Sequence, residues 1–230
     1  MSDLSKKIIT IDGASGVGKG TISKLLAHKL GWDYLDSGAL YRALACRVSQ
    51  TNTDVTDIDK LQTLAIDLPI DFSVAKHLTL TVKIFLDNQD VTQAIRTEEC
   101  GNVASKLAKI TEVRKALLKR QRDFLTPKGL VADGRDMGTV IFPKAKLKIF
   151  LTADADIRAQ RRFKQLQELG VNADLVTIKK NIEERDTRDI QRKSSPLKPA
   201  KDAIVIDTSD KTINEVFANI WSLVEKGQSG

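Results

Sequence analysis

Histidine and cysteine are scarce in this chain, with two of each among 230 residues, and no apolar run approaches the length of a membrane span. A spanning helix needs about 18 or more consecutive apolar residues, so a membrane protein is excluded as an expectation. Cys46 and Cys100 fall on predicted helices with neither a CxxC pair nor a histidine cluster nearby. They read as ordinary packed thiols, not as metal ligands or a disulfide. His28 lies on a predicted helix with no acidic or metal partner in sequence, and His77 sits at a loop edge and carries no signal. The segment Met1 to Lys7 is too short and polar for a signal peptide, which gives a cytoplasmic expectation. A basic tail is missing too, although 37 Lys and Arg against 30 Asp and Glu leave a net charge of +7. The arginines instead group late in the chain on short spacings, which suits small phosphorylated ligands, and no nucleic-acid partner is expected. A chain of this length makes one large domain or a core with small insertions, burying roughly 70–75% of its unfolded surface.

Against these absences stands one dense local signal. Gly13-Ala14-Ser15-Gly16-Val17-Gly18-Lys19-Gly20-Thr21 follows the apolar run Ile8 to Asp12 and precedes a helix-like stretch from Ile22 to Leu30. Glycines at 13, 16, 18 and 20 let successive backbone N–H groups turn inward, and the helix behind them adds its free N–H groups and positive dipole end. The stretch reads as a phosphate cradle. Lys19 would reach the outer phosphates and the Thr21 hydroxyl would lie near Mg²⁺. The usual loop places Ser or Thr directly after the lysine, whereas here Gly20 intervenes. That form resembles the nucleoside monophosphate kinases and tilts the reading away from GTPases.

The rest of the chain alternates strands and helices. Ile8 to Ile11 has no polar face to spare and is predicted as a central parallel strand. Gly31 closes the first helix. Trp32 to Asp36 is a short second strand that delivers Ser37, Tyr41 and Arg42 to a helix starting near Leu40, at a strand end where open α/β folds bind ligands. Taken alone, Arg42 reads equally as a ligand or as a solvated helix charge. After a helix over Ile58 to Ile66, Ile70 opens a strand and Leu78 to Leu86 alternates apolar and other residues, which means antiparallel and half exposed. Asp87 to Asp90 is a turn, and Val91 to Ile95 is either another strand or a connector. Helices follow over Arg96 to Lys109, which contains Ser105, and over Val113 to Phe124. On the second of these Val113, Leu117, Leu118, Gln121 and Leu125 form one side with Arg114, Lys119, Arg120 and Arg122 elsewhere, and most of those charges are expected to face solvent.

Leu130 to Asp133 is a buried strand ending on an acid. An aspartate in that place, far downstream of a phosphate loop, holds the Mg²⁺ shell, so Asp133 joins Thr21 as a metal-side candidate. Arg135 next to it is placed to meet a phosphate and Asp136 a polar group of the ligand. Leu147 to Leu151 is the next strand. Asp154 or Asp156 can cap the helix that runs on to about Leu169, on which Arg158, Arg161 and Arg162 share a face. On the helix from Leu175 to about Arg192, Arg185, Arg188 and Arg192 fall within an arc of about 60° at 100° per residue. Glu183 and Glu184 could make this a salt-bridged face, or an anion could join the three cations. Ala203 to Asp207 is predicted as a final buried strand, and Thr212 to Lys226 as a closing helix with Ile213, Val216, Phe217, Ile220 and Leu223 inward.

Five buried strands alternating with helices predict an α/β fold, a five-stranded parallel sheet sandwiched by helices, with a small antiparallel β insert. Two phosphorylated substrates must then be joined in a site that excludes water, so the protein should close on them. Four runs carry a specific resemblance: Ile9 to Thr21, Leu35 to Arg42, Ala132 to Thr139 and Glu184 to Asp189. Together they resemble the bacterial cytidylate kinase family and span nearly the whole chain. The resemblance implies a P-loop kinase core over 1–66, 97–153 and 170–230, a monophosphate-binding insert over 67–96 and a helical lid over 154–169.

It also implies transfer of the γ-phosphoryl of ATP to CMP or dCMP, with Mg²⁺, by a monomer. By position, residues 13–21 (Gly13, Ala14, Ser15, Gly16, Val17, Gly18, Lys19, Gly20, Thr21) with Arg158 and Arg162 would bind ATP. Ser105, Arg114 and Asp136 would read the cytosine edge, and Arg42, Arg135 and Arg185 would hold the acceptor phosphate. Asp189 with Arg185 would sit near the ribose hydroxyls, and Ser37 and Arg192 complete the acceptor side. Lys19, Arg135, Arg158, Arg185 and Arg188 would neutralise charge at the transferring group. Two rival readings are another kinase of this architecture, acting on AMP, UMP or shikimate, and a basic ATP-binding protein linked to RNA.

Overall fold

The computed structural model describes residues 4–74, 82–168 and 170–228. In chain order the first half holds β1 (Ile8–Gly13), α1 (Lys19–Leu30), β2 (Asp33–Asp36), α2 (Ser37–Gln50), α3 (Ile58–Ile66), β3 (Ile70–Val74), β4 (Val82–Leu86), β5 (Gln89–Asp90), α4 (Glu98–Leu107) and α5 (Thr111–Arg122). The second half holds β6 (Leu130–Gly134), β7 (Leu147–Thr152), α6 (Ala155–Glu168), α7 (Leu175–Gln191), β8 (Ile204–Asp207) and α8 (Ile213–Gln228). These elements divide into two compact units, Met1–Tyr34 with Leu125–Gly230, and Leu35–Phe124.

The first unit is built on a five-stranded sheet of order β2-β6-β1-β7-β8. β1 lies at its centre, parallel to β6 with Ile11 opposite Asp133 and parallel to β7 with Ile11 opposite Ile149. Every residue of β1 and β6 is buried, which is why both read as apolar runs without alternation. Ile22 and Leu26 of α1 are buried with them. Gly31 closes α1 by donating its N–H to the His28 carbonyl. α6 and α7 share a small apolar core of Ala159, Leu166, Ile178 and Ile182, with Phe163 and Ala173 packed against it.

Two expectations fail here. β8 is not buried: Ile204 is 39% and Val205 55% exposed, because β8 is the sheet's edge strand and pairs only with β7. On α8 the buried stripe is Val216, Ile220 and Val224, one residue per turn, while Ile213 is 49% exposed in the first turn.

The second unit packs α2 against α4 and α3 against α5 around Leu40, Leu44, Leu61, Leu107 and Leu117. It also carries the antiparallel sheet β3-β4-β5. Asp87 and Asn88 form the two-residue β4–β5 turn with φ of 49° and 62°, and Gln89–Asp90 pairs back as a strand where a longer turn was expected. Val91 to Ile95 is a connector ending in a short 3₁₀ turn, Ala94–Arg96. α2 begins at Ser37, three residues before the expected start, because the Asp36 carboxylate caps it by accepting the Ala39 N–H at 2.9 Å. Of the charges on α5, Arg114 is buried. The predicted alternation over 78–81, His77 and the helix end at Leu169 lie outside the described residues.

Candidate active site

The loop between β1 and α1 folds as a cradle because its glycines permit what other residues would not. Gly13 has a φ of 152°, and a Cβ there would collide with the Leu151 carbonyl oxygen. A Cβ on Gly16 would lie 3.1 Å from the Cβ of Arg158, so α6 rests directly on the loop. α1 starts at Lys19 without a side-chain cap, leaving its first N–H groups to a ligand. The Lys19 ammonium curls back to donate to the Ala14 carbonyl at 3.0 Å. Buried Arg158 donates to Ser15 O at 3.2 Å and to Ala153 O at 2.9 Å, and its guanidinium pairs with Asp186 at 2.7 Å. Lys19 and Arg158 are thus both brought to the loop, whereas Arg161 of the same helix donates to the Thr208 and Ser209 carbonyls beyond β8. Arg162 is half-buried and Thr21 exposed.

The ends of β1 and β6 sit side by side, so their acids share one neighbourhood. Asp133 accepts the Tyr34 hydroxyl at 2.6 Å, and both groups are buried. Asp12 accepts the N–H groups of Met137 and Gly138, each at 2.8 Å, and thereby pins the segment that follows Arg135 and Asp136. Burial raises the Asp12 carboxyl to about 6 from its ordinary 3.8, a rise that the two N–H donors only partly offset. The pinned segment, Met137–Ile141, is a π-helical turn in which the Asp136 carbonyl accepts from both Val140 and Ile141.

A second cluster gathers the late arginines. Arg135 donates to Asp189 at 2.8 Å, and Arg192 lies 4.0 Å from Asp189 and 3.9 Å from Asp136. Burial alone would raise the Asp189 carboxyl, but the neighbouring Arg135, Arg185 and Arg192 outweigh it and hold it below its ordinary range. The repulsion expected of stacked arginines is therefore relieved by buried carboxylates as well as by the pair of half-buried Arg188 with exposed Glu184 at 3.7 Å. Arg135, Asp136, Arg185, Asp189 and Arg192 form one network.

In the second unit, Arg42 donates to the Ile95 and Thr97 carbonyls at 2.9 and 3.2 Å, with Gly101 beneath its guanidinium. Arg114 donates to Ala108 O at 3.2 Å and lies 5.7 Å over the Tyr41 ring. Ser37 and Ser105 are both buried. Ser37 donates its hydroxyl to Gln121 at 2.9 Å.

Sequence reading passed over Asp12, Tyr34, Gln121, Asp186 and Thr208, whose hydroxyl donates to the Val17 carbonyl of the loop at 3.2 Å. Each acts through a residue distant in the chain, and only Asp12, directly before the loop, carried a positional hint. Among the described residues no group of three or more His, Cys, Asp or Glu side chains could hold a metal, and no helix is long and apolar enough to cross a membrane. One hydroxyl and one carboxylate, Thr21 and Asp133, nevertheless suit Mg²⁺, which keeps several waters and takes the rest of its shell from substrate phosphates.

A sequence model described as Cytidylate kinase matches residues 9–226. The chain is 54% identical over 219 residues to the cytidylate kinase of Marinomonas sp. (strain MWYL1), covering 95% of this chain and 96% of that protein. It is 53% identical over 218 residues to the cytidylate kinase of Shewanella denitrificans, with the same coverage. Among solved structures it is similar to a gluconokinase from Sinorhizobium meliloti 1021, with a TM-score of 0.43 at 15% identity over 97% of this chain and 95% of that one. A thymidylate kinase from Candida albicans gives a TM-score of 0.38 at 13% identity over 97% and 92%.

Proposed function

The chain belongs to the cytidylate kinase family and transfers the γ-phosphoryl of ATP to CMP or dCMP, and from that premise we propose how its residues divide the work. Residues 13–21 with Arg158 and Arg162 hold the triphosphate of ATP. Ser105, Arg114 and Asp136 read the cytosine, while Arg42, Arg135 and Arg185 hold the acceptor phosphate. Asp189 with Arg185 would sit near the ribose hydroxyls, and Ser37 and Arg192 complete the acceptor set. The observation that best supports this division is the Arg158 guanidinium donating to Ser15 O, a cation held against the phosphate loop itself.

The acceptor is a phosphate oxygen already ionised near neutral pH, so no nucleophilic side chain is required. Catalysis is positioning plus neutralisation of charge spread over the transferring group. Lys19, Arg135, Arg158, Arg185 and Arg188 supply that positive charge, and guanidinium groups bind phosphate oxygens in pairs. Thr21 and Asp133 would hold Mg²⁺, which when bound would supply further positive charge against the phosphates of ATP. α6 is the segment we assign to closing over the nucleotide and excluding water.

ADP release from ATP and Mg²⁺, with CMP, dCMP, UMP and AMP offered in turn, tests the assignment. CMP and dCMP should support fast release, with UMP and AMP slow. Equal rates with all four, or none with CMP, would overturn it. Lys19→Ala or Arg188→Ala should lower turnover by about 10³-fold, the scale of a lost phosphate-directed cation. Near-normal turnover in a folded Arg188→Ala protein would remove that residue from the role.

A further inference from the structure

α2 and α5 meet through two buried side-chain pairs. Arg114 of α5 lies over the ring of Tyr41 of α2, and one turn earlier on α2 the Ser37 hydroxyl donates to Gln121, two turns further along α5. Gln121 is 1% exposed and Ser37 4%, so neither exchanges its partner for bulk water. The Gln121 amide is also fixed in sense: its Nε2 donates to the Leu117 carbonyl at 3.2 Å, so its Oε1 must face Ser37. Turning the amide over would set two oxygens against each other at Leu117.

The consequence lies in the hydroxyl. A serine has one proton to give and two lone pairs to receive with. Because Gln121 takes the proton, Ser37 can offer a ligand only acceptor capacity. Phosphate oxygens near neutral pH are acceptors themselves, so the hydroxyl is chemically unsuited to the phosphate end of a nucleotide. A nucleotide has two kinds of donor that would satisfy it, an exocyclic amine on the base and the hydroxyls of the sugar. The amine is favoured because the neighbouring pair on the same two helix faces includes Arg114, assigned above to the base.

We propose that Gln121 is a positioning residue for base selection: it locks the Ser37 hydroxyl as an acceptor for the 4-amino group of cytosine, and against the 4-carbonyl of uracil. A free hydroxyl could rotate and donate to that carbonyl. With its proton committed to Gln121, it would set oxygen against oxygen. Sites built around one polar pattern reject the opposite pattern strongly, because the mismatch leaves buried groups unpaired. The proposal rests on the cytosine reading of the acceptor side.

The test compares kcat/KM for CMP, dCMP and UMP at saturating ATP and Mg²⁺ in the full chain and its variants Ser37→Ala, Gln121→Met, Gln121→Glu and the double variant Ser37→Ala/Gln121→Met. Gln121→Met keeps the length of the side chain and removes the acceptor, so the CMP to UMP ratio should fall about tenfold, as in Ser37→Ala. The double variant should fall no further, since both changes remove one interaction. Gln121→Glu still offers an oxygen to the serine and should keep the ratio even if its melting temperature drops. A ratio unmoved in Gln121→Met, or losses that add in the double variant, would reduce Gln121 to packing and overturn the proposal. Should Gln121→Met fail to fold, Ser37→Ala and Gln121→Glu still decide it: an unmoved ratio in the first, or a collapsed one in the second, overturns it. A shift in the CMP to dCMP ratio instead would place the hydroxyl at the sugar and overturn the base assignment. A wild-type enzyme indifferent to the base would defeat the underlying cytosine reading, which is a different failure from a preference that Gln121 does not influence.

Discussion

Asp12 illustrates how much one side chain at the end of β1 controls. Its two oxygens accept two N–H groups of the segment after Asp136, so a carboxyl from the phosphate-loop strand fixes the turn that carries Arg135 and Asp136. Burial raises this carboxyl to about 6 against 3.8 ordinarily, which links it to stability. The folded protein takes up a proton at Asp12 at a higher pH than the unfolded chain does. Its titration therefore favours folding as the pH falls from about 6 to about 3.8, and that contribution is lost as the pH rises through 6. Asp12→Asn has no such proton to bind, so the melting temperature of the wild type relative to this variant should increase from pH 7 to pH 5. A constant difference across that range would mean the carboxyl titrates normally. Two loop glycines give a second contrast at this scale. An alanine at Gly13 would strike the Leu151 carbonyl, whereas at Gly20 its Cβ would meet Asp133 at 3.6 Å and Tyr34 at 3.8 Å, ordinary contact distances. Gly13→Ala should lower the melting temperature by several degrees. Gly20→Ala should not, since alanine is the better helix former in α1 by roughly 0.5–1 kcal/mol.

Whole elements differ in how far sequence alone reveals them. β1, β6 and β7 are legible because strands buried on both faces are predominantly apolar, with Thr10 and the Asp202-paired Lys148 among the buried polar exceptions. α3 has the bounds expected of it, Ile58–Ile66, and the structure adds its cap, Asp57. β8 misleads for the same reason that β1 does not: Ile204-Val205-Ile206 has the composition of an inner strand, but its place at the sheet's edge is set by strand order, which leaves no local mark. Ile213 of α8 misleads likewise, because helical spacing gives a stripe but not the turn at which contact with the core begins. The loop glycines and Lys19 are legible because their spacing marks the tight turn from β1 into α1. Tyr34, Thr208 and Gln121 are not, since each bonds a residue far away in the chain. The edge position of β8 can be checked by stability. Val205→Thr, at a half-exposed position, should cost no more than about 0.5 kcal/mol in urea unfolding, whereas Leu151→Ala in buried β7 should cost about 2–5 kcal/mol. Equal costs would mean that β8 is covered in solution.

At the scale of the whole molecule the two substrates become two separate handles on stability. The net charge of +7 attracts phosphorylated ligands, yet much of the buried positive charge is already held by carboxylates, with Arg158 on Asp186 and Arg135 on Asp189. These pairs keep the arginines oriented and make either partner costly to leave alone. Any ligand that binds only the folded chain stabilises it by mass action, by about 2.7 kcal/mol at a hundred times its Kd. For a chain of this length that corresponds to a rise of roughly 5–10 °C in melting temperature. ATP with Mg²⁺ and CMP should each produce such a rise when added alone. Lys19 belongs to the loop of the first unit and Arg114 to α5 of the second, so substitutions at the two should separate the effects. Lys19→Ala should remove most of the shift caused by ATP and keep the one caused by CMP, and Arg114→Ala should do the reverse. Loss of both shifts in either folded variant would mean that one side chain serves both ligands, and the division into an ATP-holding loop and a cytosine-reading α5 would fall.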